Sequence, residues 1–205
     1  MQYNQTILEA IPKQGSILDL GCVDDNQNYL SKKHLFKLIH KINQNVVGID
    51  LNKEGISHLK SEGYDVYEQD VQKFNLNRKF DFILASNIIE HLNNLGGFLD
   101  SIKKHLKPQG VCVIITPNAY SIINFLGVLI TGKRRINPGH TMWQSAETLE
   151  ILLKRYNMKI KKIKYDTEIC NNSFINIIST RTQKAVSWFR PAFSSTIHVE
   201  VKHDN

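Results

Sequence analysis

The stretch SILDLGCVDDN, residues 16–26, decides the fold class of this chain. Its apolar first half runs directly into Gly21, and a strand ending on such a glycine turn is typical of folds that bind a nucleotide. A dinucleotide-binding loop would continue with two more glycines, in the pattern G-x-G-x-x-G. Val23 occupies the second glycine position instead, and two acids, Asp24 and Asp25, follow it. The ligand of this turn must therefore tolerate a loop with one glycine and two negative charges.

Strand-like and helix-like segments alternate along the rest of the chain. Strand-like runs lie at 16–20, 45–50, 64–68, 79–86 and 110–116, with two further candidates at 158–166 and 195–202. The second, fourth and fifth runs are mostly continuous apolar sequence, which suits strands buried on both faces of a parallel sheet. Because strands that alternate with helices connect by right-handed crossovers, the pattern predicts an α/β fold. We expect a doubly wound, mostly parallel seven-stranded sheet with helices on both faces.

The segment after the fourth strand has the periodicity of a helix. Apolar residues recur at spacings of three and four from Ile88 to Leu106. The prediction is one helix that opens with Asn87 to Leu92, "NIIEHL", and is ended by Lys107 to Gly110.

The chain reads as a single domain over residues 1–205, with two segments that could shape a pocket. The first is a lid-like segment, 119–144, which contains the apolar run from Ser121 to Thr131 and then Gly132-Lys133-Arg134-Arg135. That run could be a lid or packing helix, a homodimer face, or a helix in peripheral contact with a membrane surface. The second is a helical insertion, 171–193, before the last strand, with a helix-like stretch from Ser173 to Phe189. Its Trp188, Phe189 and Arg190 could stack on a sugar or simply cover the core.

Composition excludes several classes of protein. The net charge is +7, but the lysines are spread over several predicted helices, so we do not expect a nucleic-acid partner. No run approaches the roughly 18 to 20 apolar residues of a transmembrane helix, and the first residues do not resemble a signal peptide. The three cysteines, Cys22, Cys112 and Cys170, form no C-x-x-C pair. Widely spaced cysteines of this kind fit a cytoplasmic location.

Acidic residues lie at or near the ends of three successive strands. Asp19 lies two residues before Gly21, Asp50 ends the second strand, and Asp70 follows the third. Ligands of doubly wound sheets bind beyond the carboxyl ends of the strands, where a carboxylate such as Asp50 can accept hydrogen bonds from a ribose. In the same way, Asp70 could receive the amino group of an adenine.

Five segments of the chain resemble the ordered motifs of the class I S-adenosylmethionine-dependent methyltransferases. They are ILDLGC, VVGIDLNKEGI, YEQDVQKF, KFDFILASNIIEHL and LKPQGVCVIITPN, and the resemblance covers roughly residues 12–167. It implies a Rossmann-like fold and S-adenosyl-L-methionine as the cofactor. That cofactor carries a sulfonium and an ammonium and no phosphate, so the acids of the first loop count against NAD more than against it. The cofactor-binding residues predicted in this way are Asp19, Gly21, Cys22, Asp50, Leu51, Asp70, Val71 and Ser86.

The acceptor side is predicted from two histidine-containing segments, "NIIEHL" and "PGHTMW" (138–143). They resemble the ubiquinone-biosynthesis O-methyltransferases and the small-RNA 3′-end 2′-O-methyltransferases, which carry an E-x-x-E-H segment here. The resemblance implies a divalent metal, Mg²⁺ or Mn²⁺, bound by Glu90, His91 and His140. The first glutamate of that pattern is Asn87 in this chain, which removes one negative charge. The alternative is a metal-free pocket in which His91 and His140 are catalytic and His140 is the general base.

These observations predict a methyltransferase that uses S-adenosyl-L-methionine to methylate a hydroxyl of a small molecule or saccharide. The saccharide reading rests on a resemblance to bacterial methyltransferases of glycan assembly. Two alternatives remain open. One is an RNA ribose 2′-O-methyltransferase, favoured by the histidine pair and the basic charge. The other is a catalytically silent cofactor-binding subunit, favoured by the altered glycine loop and Asn87.

Overall fold

The structure is a computed structural model that describes residues 5–23, 25–132, 137–167 and 183–204, without the side chains of 25–27. The helices are α1 (Gln5–Ala10), α2 (Leu35–Ile42), α3 (Lys53–Ser61), α4 (Leu95–His105), α5 (Ile122–Thr131) and α6 (Ala146–Arg155). The strands are β1 (Ile17–Leu20), β2 (Val46–Asp50), β3 (Val66–Glu68), β4 (Phe80–Ser86), β5 (Leu106–Pro117), β6 (Met158–Asp166) and β7 (Thr196–His203). Short 3-10 turns lie at Asp25–Leu30, Ile89–His91 and Pro191–Phe193, and residues 183–189 are helical.

The strands form one seven-stranded sheet in the order β3-β2-β1-β4-β5-β7-β6. β1 pairs in parallel with β2 and β4, β2 pairs in parallel with β3, and β6 pairs antiparallel with β7. From β1 the chain builds outward to β3 and then returns to add β4 on the other side. Right-handed crossovers in opposite directions place the connecting helices on opposite faces of the sheet. The prediction of a mostly parallel, seven-stranded α/β sheet is confirmed.

The reversal of strand order fixes where a ligand can bind. All four residues of β1 are buried, as expected for a strand at the centre of a sheet covered on both faces. In doubly wound sheets the crevice for a ligand opens at the carboxyl ends of the two strands where the order reverses. Here those strands are β1 and β4. The turn at Gly21 and the end of β4 at Ser86 therefore lie at the position where this fold binds its ligands.

The segment after β4 corrects the prediction of one long helix from Ile88 to Leu106. Ile89–His91 forms a 3-10 turn, Leu92 is extended, and α4 begins only at Leu95. Asn94 starts α4, because its side-chain oxygen accepts a hydrogen bond from the Gly97 amide at 2.9 Å. The apolar periodicity continues across this break because the 3-10 turn also buries Ile89. Periodicity alone therefore could not locate the start of the helix.

The start of β5 also differs from the predicted run 110–116. α4 ends at His105, and Leu106 is already extended, with φ −85° and ψ 131°. The Leu106 side chain is fully buried, so packing holds the backbone in the strand from this point. Lys107 to Gly110 therefore belong to β5 rather than to a loop.

The described chain divides into two compact units. The first contains the described residues up to Ser86 together with Asn94–Val113, and the second contains Asn87–Asn93 and the described residues from Ile114 to Asp204. The single domain over 1–205 stays a prediction. Of the helical insertion 171–193, residues 171–182 lie outside the described residues, and 183–189 are helical as predicted. No helix among the described residues is long and apolar enough to cross a membrane.

The carboxylate of Asp81 links β4 to β5 and to Ser16, the residue that precedes β1. The Asp81 Oδ2 atom accepts hydrogen bonds from the amide and hydroxyl of Ser16 and from the Lys107 ammonium, each at 2.8 Å. These bonds, with that of Lys107 the largest, lower the pKa of Asp81 to about 2. Because the folded-state pKa lies below the unfolded value, the stabilisation is complete above about pH 4 and is lost as pH falls through about 2.

We expect Asp81→Asn to destabilise the protein at neutral pH and to reduce its loss of stability between pH 4 and pH 2. The carboxylate is half-exposed, so the expected cost at pH 7 is only about 1 kcal/mol. Urea unfolding at several pH values measures both effects. Asp65→Asn is the control, because Asp65 has similar exposure and forms one looser ion pair, with Arg78 at 3.7 Å. Equal acid sensitivity in Asp81→Asn and the parent protein would contradict the assignment.

Candidate active site

The turn after β1 is built around Gly21. Its φ of +75° lies in the left-handed region that favours glycine. The amides of Gly21 and Cys22 both donate hydrogen bonds to the Ile49 carbonyl, at 2.9 and 3.1 Å. The chain leaving β1 is therefore held against the end of β2, where Asp50 lies.

The loop accommodates Val23 at the position of the second glycine because Gly55 faces it. The Val23 side chain is buried and packs against Gly55 in the first turn of α3. A Cβ atom added at Gly55 would collide with a methyl group of Val23. The small residue that allows close approach is thus in the facing helix rather than in the loop. The substitution at position 23 is compensated, and the turn keeps a defined path.

Cys22 packs toward the interior of the first unit. Its side chain is buried, and a Cβ atom added at Gly48 would lie 2.6 Å from the Cys22 Sγ atom. Burial raises the pKa of the Cys22 thiol well above its ordinary value, so the thiol stays neutral and unreactive. A contact between Cys22 and a cofactor would therefore have to involve the Cys22 backbone. The predicted contact stays a prediction.

The Asp50 carboxylate is held in place by two backbone amides. Its Oδ2 atom accepts from the Val23 amide at 2.9 Å, and its Oδ1 atom accepts from the Asn52 amide at 2.8 Å. Each carboxylate oxygen has further lone pairs, so two ribose hydroxyls could still donate to it. Asn52 in turn begins α3 by accepting from the Gly55 amide at 3.0 Å. Local structure therefore orients Asp50 at the end of β2.

Asp19 is a buried carboxyl group close to Asp50. Burial first, and then the charge of Asp50, raise the pKa of Asp19 to about 8. A carboxyl group in such a position is neutral at pH 7, and a cation placed beside it would favour ionisation. A cation placed beside Asp19 and Asp50 would therefore be stabilised by them. The prediction that the loop acids Asp24 and Asp25 suit a cationic ligand stays a prediction. Asp24 lies outside the described residues, and Asp25 begins a 3-10 turn.

Asp70 is oriented by the turn that follows β3. Its Oδ1 atom accepts from the amide and the side-chain amide of Gln72, at 2.9 and 3.2 Å. The side-chain oxygen of Gln72 in turn accepts from the Asn94 amide at 2.7 Å, which links Asp70 to the start of α4. Val71 is buried beside this turn.

The remaining two predicted cofactor residues differ in exposure. Ser86 is half-buried at the end of β4. Leu51 follows Asp50 and is exposed. Their contacts with a cofactor remain predictions.

The residues predicted for the acceptor side, Glu90, His91 and His140, lie in the second unit. The Glu90 side chain is buried, and its Oε2 atom accepts a hydrogen bond from the Thr116 hydroxyl at 3.0 Å. Its backbone carbonyl accepts from the Thr141 amide at 2.8 Å. Thr141 also donates from its hydroxyl to the Leu92 carbonyl at 3.0 Å. Glu90 lies in a 3-10 turn and His140 lies in a loop. These hydrogen bonds hold the turn and the loop together.

His91 is oriented by a backbone carbonyl 48 residues further along the chain. Its Nδ1 atom lies 3.0 Å from the Gly139 carbonyl oxygen. A carbonyl can only accept, so Nδ1 carries the proton, and in the neutral ring Nε2 keeps its lone pair. A Cβ atom added at Gly139 would lie 2.9 Å from the His91 Nδ1 atom. The absence of a side chain at position 139 thus allows this contact.

His140 lies edge-on to His91. The ring centroids are 4.7 Å apart and the rings are nearly perpendicular, at 87°. Burial, and then the neighbouring His91, lower the pKa of His140, which favours the neutral base at neutral pH. The structure therefore brings together the two histidines that the sequence predicted from separate segments.

Glu90, His91 and His140 offer ligand atoms that all lie within 4.8 Å of one another. Two imidazoles and one carboxylate are a ligand set that suits Mn²⁺ better than Mg²⁺, which prefers oxygen. The bonds from Thr116 to Glu90 and from His91 to Gly139 resemble the supporting contacts that orient metal ligands. The donor set is compatible with a divalent cation, and it is equally compatible with a pair of neutral imidazoles that accept protons.

Asn87, which replaces the first glutamate of the related pattern, has a φ of +51°. This left-handed conformation is more accessible to asparagine than to glutamate. Its amide donates to the Ile115 carbonyl at 2.8 Å, which holds this conformation beside β5. The departure at position 87 therefore has a backbone reason.

Sequence reasoning missed four residues that support the site. They are Gln72, Thr116, Gly139 and Thr141. Each acts on a predicted residue through a hydrogen bond whose partner is distant in sequence, except for Gln72. Thr116 and the Gly139–Thr141 segment lie within motifs that the sequence analysis quoted, but composition gave no indication of their partners.

Comparison with known proteins identifies the fold and family. The model of the family described as "Methyltransferase domain" matches residues 2–163 of this chain. The chain belongs to this methyltransferase family. A solved S-adenosylmethionine-dependent methyltransferase from Archaeoglobus fulgidus superposes with a TM-score of 0.63 at 18% identity, covering 97% of this chain and 90% of that chain. This structural likeness supports the Rossmann-like methyltransferase fold.

Curated relatives of this methyltransferase domain share one kind of name. The mitochondrial ubiquinone biosynthesis O-methyltransferase of Rattus norvegicus is 28% identical over 165 residues, which is 72% of this chain and 45% of that protein. The ubiquinone biosynthesis O-methyltransferase of Pelagibacter ubique is 32% identical over 114 residues, or 52% of this chain and 43% of that protein. The chain spans less than half the length of the curated relatives it matches.

Proposed function

We propose that the protein transfers a methyl group from S-adenosyl-L-methionine to a hydroxyl oxygen of a small molecule or saccharide. The observation that carries the proposed acceptor chemistry is the pair of His91 and His140, whose ring centroids lie 4.7 Å apart. The Gly139 carbonyl orients the His91 ring through Nδ1 at 3.0 Å, and His140 lies edge-on to that ring. The names of the O-methyltransferase relatives support oxygen as the acceptor atom.

The first unit is assigned to the methyl donor. Asp50 is held by the Val23 and Asn52 amides, an arrangement suited to a ribose. Asp19 is buried beside Asp50 and would pair with the ammonium of the donor. Asp70, oriented by Gln72, would receive the adenine amino group.

The second unit is assigned to the acceptor. In an in-line displacement the acceptor oxygen forms a bond to the methyl carbon while the carbon–sulfur bond breaks. The electron pair of that bond stays on sulfur, which yields neutral S-adenosyl-L-homocysteine. The hydroxyl proton passes to an imidazole, for which His140 is the proposed general base. His91, whose ring lies edge-on to that of His140, would position it.

A divalent cation held by Glu90, His91 and His140 is the second candidate for acceptor activation. The convergence of their ligand atoms within 4.8 Å favours it. When bound, such a cation would lower the pKa of an acceptor hydroxyl. The residues of the chain would still align the acceptor and exclude water.

The donor assignment is tested by Asp50→Ala. We expect the affinity for S-adenosyl-L-homocysteine, measured by calorimetry, to fall at least tenfold. The reason is the loss of two charge-assisted hydrogen bonds worth roughly 1.5 to 3 kcal/mol each before compensation. Asp100→Ala, on the exposed face of α4, is the matched control and should leave the affinity unchanged. Unaltered binding by Asp50→Ala would contradict the assignment of Asp50.

An assay with isotopically labelled donor separates the proposed enzyme from its alternatives. Label that enters hydroxylated small molecules or saccharides supports the proposal. Label that enters only RNA would replace it with ribose 2′-O-methylation. Tight donor binding without transfer to any acceptor class would favour a silent cofactor-binding subunit.

A further inference from the structure

The helix α5 is apolar except for Asn124 and Thr131, yet none of its residues is buried. Its last two turns expose Phe125, Val128, Leu129 and Ile130, with 68% of Leu129 and 77% of Ile130 accessible. Gly132, with φ +66°, ends the helix. A helix of this composition normally lies in a core or against another apolar surface. The predicted packing helix therefore has its apolar surface turned outward.

A second helical segment, described over 183–189, contacts the start of α5. The buried side chains of Gln183 and Ser121 join the two through a hydrogen bond of 3.0 Å. The second helix ends with Trp188, which is 88% exposed, and Phe189, which is 73% exposed. Arg190 lies over the Phe189 ring at 5.4 Å. We call the exposed apolar residues of α5 together with Trp188 and Phe189 the apolar face.

The two sequence segments that form this apolar face are rich in basic residues. The sequence holds no acidic residue from 101 to 146 or from 169 to 199. Lys184 and Arg190 are exposed on the second helix, and Gly132-Lys133-Arg134-Arg135 directly follow α5 in the sequence. A symmetric contact with a second copy would bring like charges together. Exposed apolar side chains accompanied by the exposed cations Lys184 and Arg190 instead match the acyl region and headgroups of an anionic bilayer.

We propose that the apolar face docks onto the surface of anionic phospholipid membranes. Phe125, Leu129, Ile130 and Trp188 enter the headgroup–acyl boundary, while Lys184 and Arg190 contact lipid phosphates. This peripheral attachment does not depend on the proposed methyl transfer. It places the protein where acceptors dissolved in or anchored to a membrane are concentrated.

Vesicle binding tests the proposal directly. We expect the protein to co-sediment with vesicles of phosphatidylcholine containing about 30% phosphatidylglycerol and to bind pure phosphatidylcholine at least tenfold less. Raising the salt from about 0.05 M to 0.5 M should weaken the binding, because the lipid charge is screened. Trp188 provides a second signal, since its fluorescence should shift to the blue on insertion. Trp188→Phe should remove that shift, because the only other tryptophan, Trp143, is remote in sequence and already partly buried.

Substitution on the exposed surface separates docking from a folding defect. Leu129→Asn combined with Ile130→Asn should reduce the partition coefficient at least tenfold and leave the circular dichroism spectrum and melting temperature unchanged. Ile151→Asn is the matched control, because Ile151 is an exposed apolar residue of α6 outside the apolar face. Absence of vesicle binding by the parent protein would overturn the proposal. So would a stable dimer in light scattering that the double variant converts to monomer, since a second copy would then cover the apolar face.

Discussion

Asp19→Asn should make the ligand-free protein more stable near pH 8 and weaken its binding of S-adenosyl-L-homocysteine by up to about a hundredfold. The pKa of Asp19 is raised to about 8, whereas an unfolded carboxyl group titrates near 4. Between these values the folded protein holds a proton that the unfolded chain releases. Stability therefore falls as pH rises from about 4 to about 8, and asparagine, which does not titrate, removes that fall.

Ligand binding should depend on pH in the opposite sense. The ammonium of the ligand needs an ionised partner, so binding below pH 8 must displace the proton of Asp19. We expect the affinity of the parent protein to rise by up to tenfold for each unit between about pH 6 and pH 7.5. The Asp19→Asn variant should bind weakly at every pH in that range, with no such slope.

Calorimetry and thermal melts at matched pH values check both halves of this prediction. Asp100→Asn serves as the control, because Asp100 is exposed on α4 and the substitution is of the same chemical type. A variant at position 19 that binds the ligand as tightly as the parent, with the same pH profile, would show that Asp19 does not meet the ammonium. A stability gain without a binding loss would leave Asp19 as a buried acid with no ligand.

The sequence was sufficient for the sheet and for the acids at its strand ends. Asp19 and Asp50 could be placed because each lies at or next to the end of an apolar run, and parallel strands bring their carboxyl ends to one edge of the sheet. Their environment could not be predicted. The raised pKa of Asp19 depends on complete burial, and the orientation of Asp50 depends on the Val23 amide, 27 residues away in sequence.

The departures from the family pattern show why local sequence was not enough. Val23 looked like a defect in the loop, but Gly55 supplies the missing space from another element. Asn87 looked like a lost metal ligand, yet its φ of +51° gives asparagine a backbone role. The prediction of a single helix from Ile88 was wrong because the side chain of Asn94, rather than apolar spacing, sets the start of α4. Each case turns on a contact or a dihedral angle that spacing does not encode.

The histidine pair was predicted in part from the sequence. His91 and His140 were both predicted as site residues, and the structure brings their rings to a centroid distance of 4.7 Å. The sequence does not show which ring nitrogen of His91 carries the proton. That assignment follows from the contact between Nδ1 and the Gly139 carbonyl. The residue types therefore indicated a candidate site. The protonation of its imidazole nitrogens could be inferred only from a contact between residues distant in sequence.

His140→Ala should lower kcat for methyl transfer about a hundredfold or more and leave the affinity for S-adenosyl-L-homocysteine unchanged. The loss follows from removal of the group that accepts the hydroxyl proton, an effect typically worth 10²- to 10⁴-fold. Gly139→Ala tests the positioning of His91 separately. Its added Cβ atom would lie 2.9 Å from the His91 Nδ1 atom, so His91 must move, and kcat should fall roughly tenfold. Single-turnover rates with any accepted hydroxyl compound measure both variants.

The response to metal distinguishes the two proposed forms of acceptor activation. In the metal-free form, a chelator leaves the parent rate unchanged, and Glu90→Gln reduces it only modestly by disturbing the bond with Thr116. In the metal-dependent form, chelator abolishes turnover, Mn²⁺ restores it, and Glu90→Gln weakens Mn²⁺ binding measured by electron paramagnetic resonance without any acceptor. Ser101→Ala, a buried substitution in α4, controls for general loss of packing. If His140→Ala retains the full rate in the absence and presence of Mn²⁺, neither form holds, and the proton must leave by a route that does not use His140.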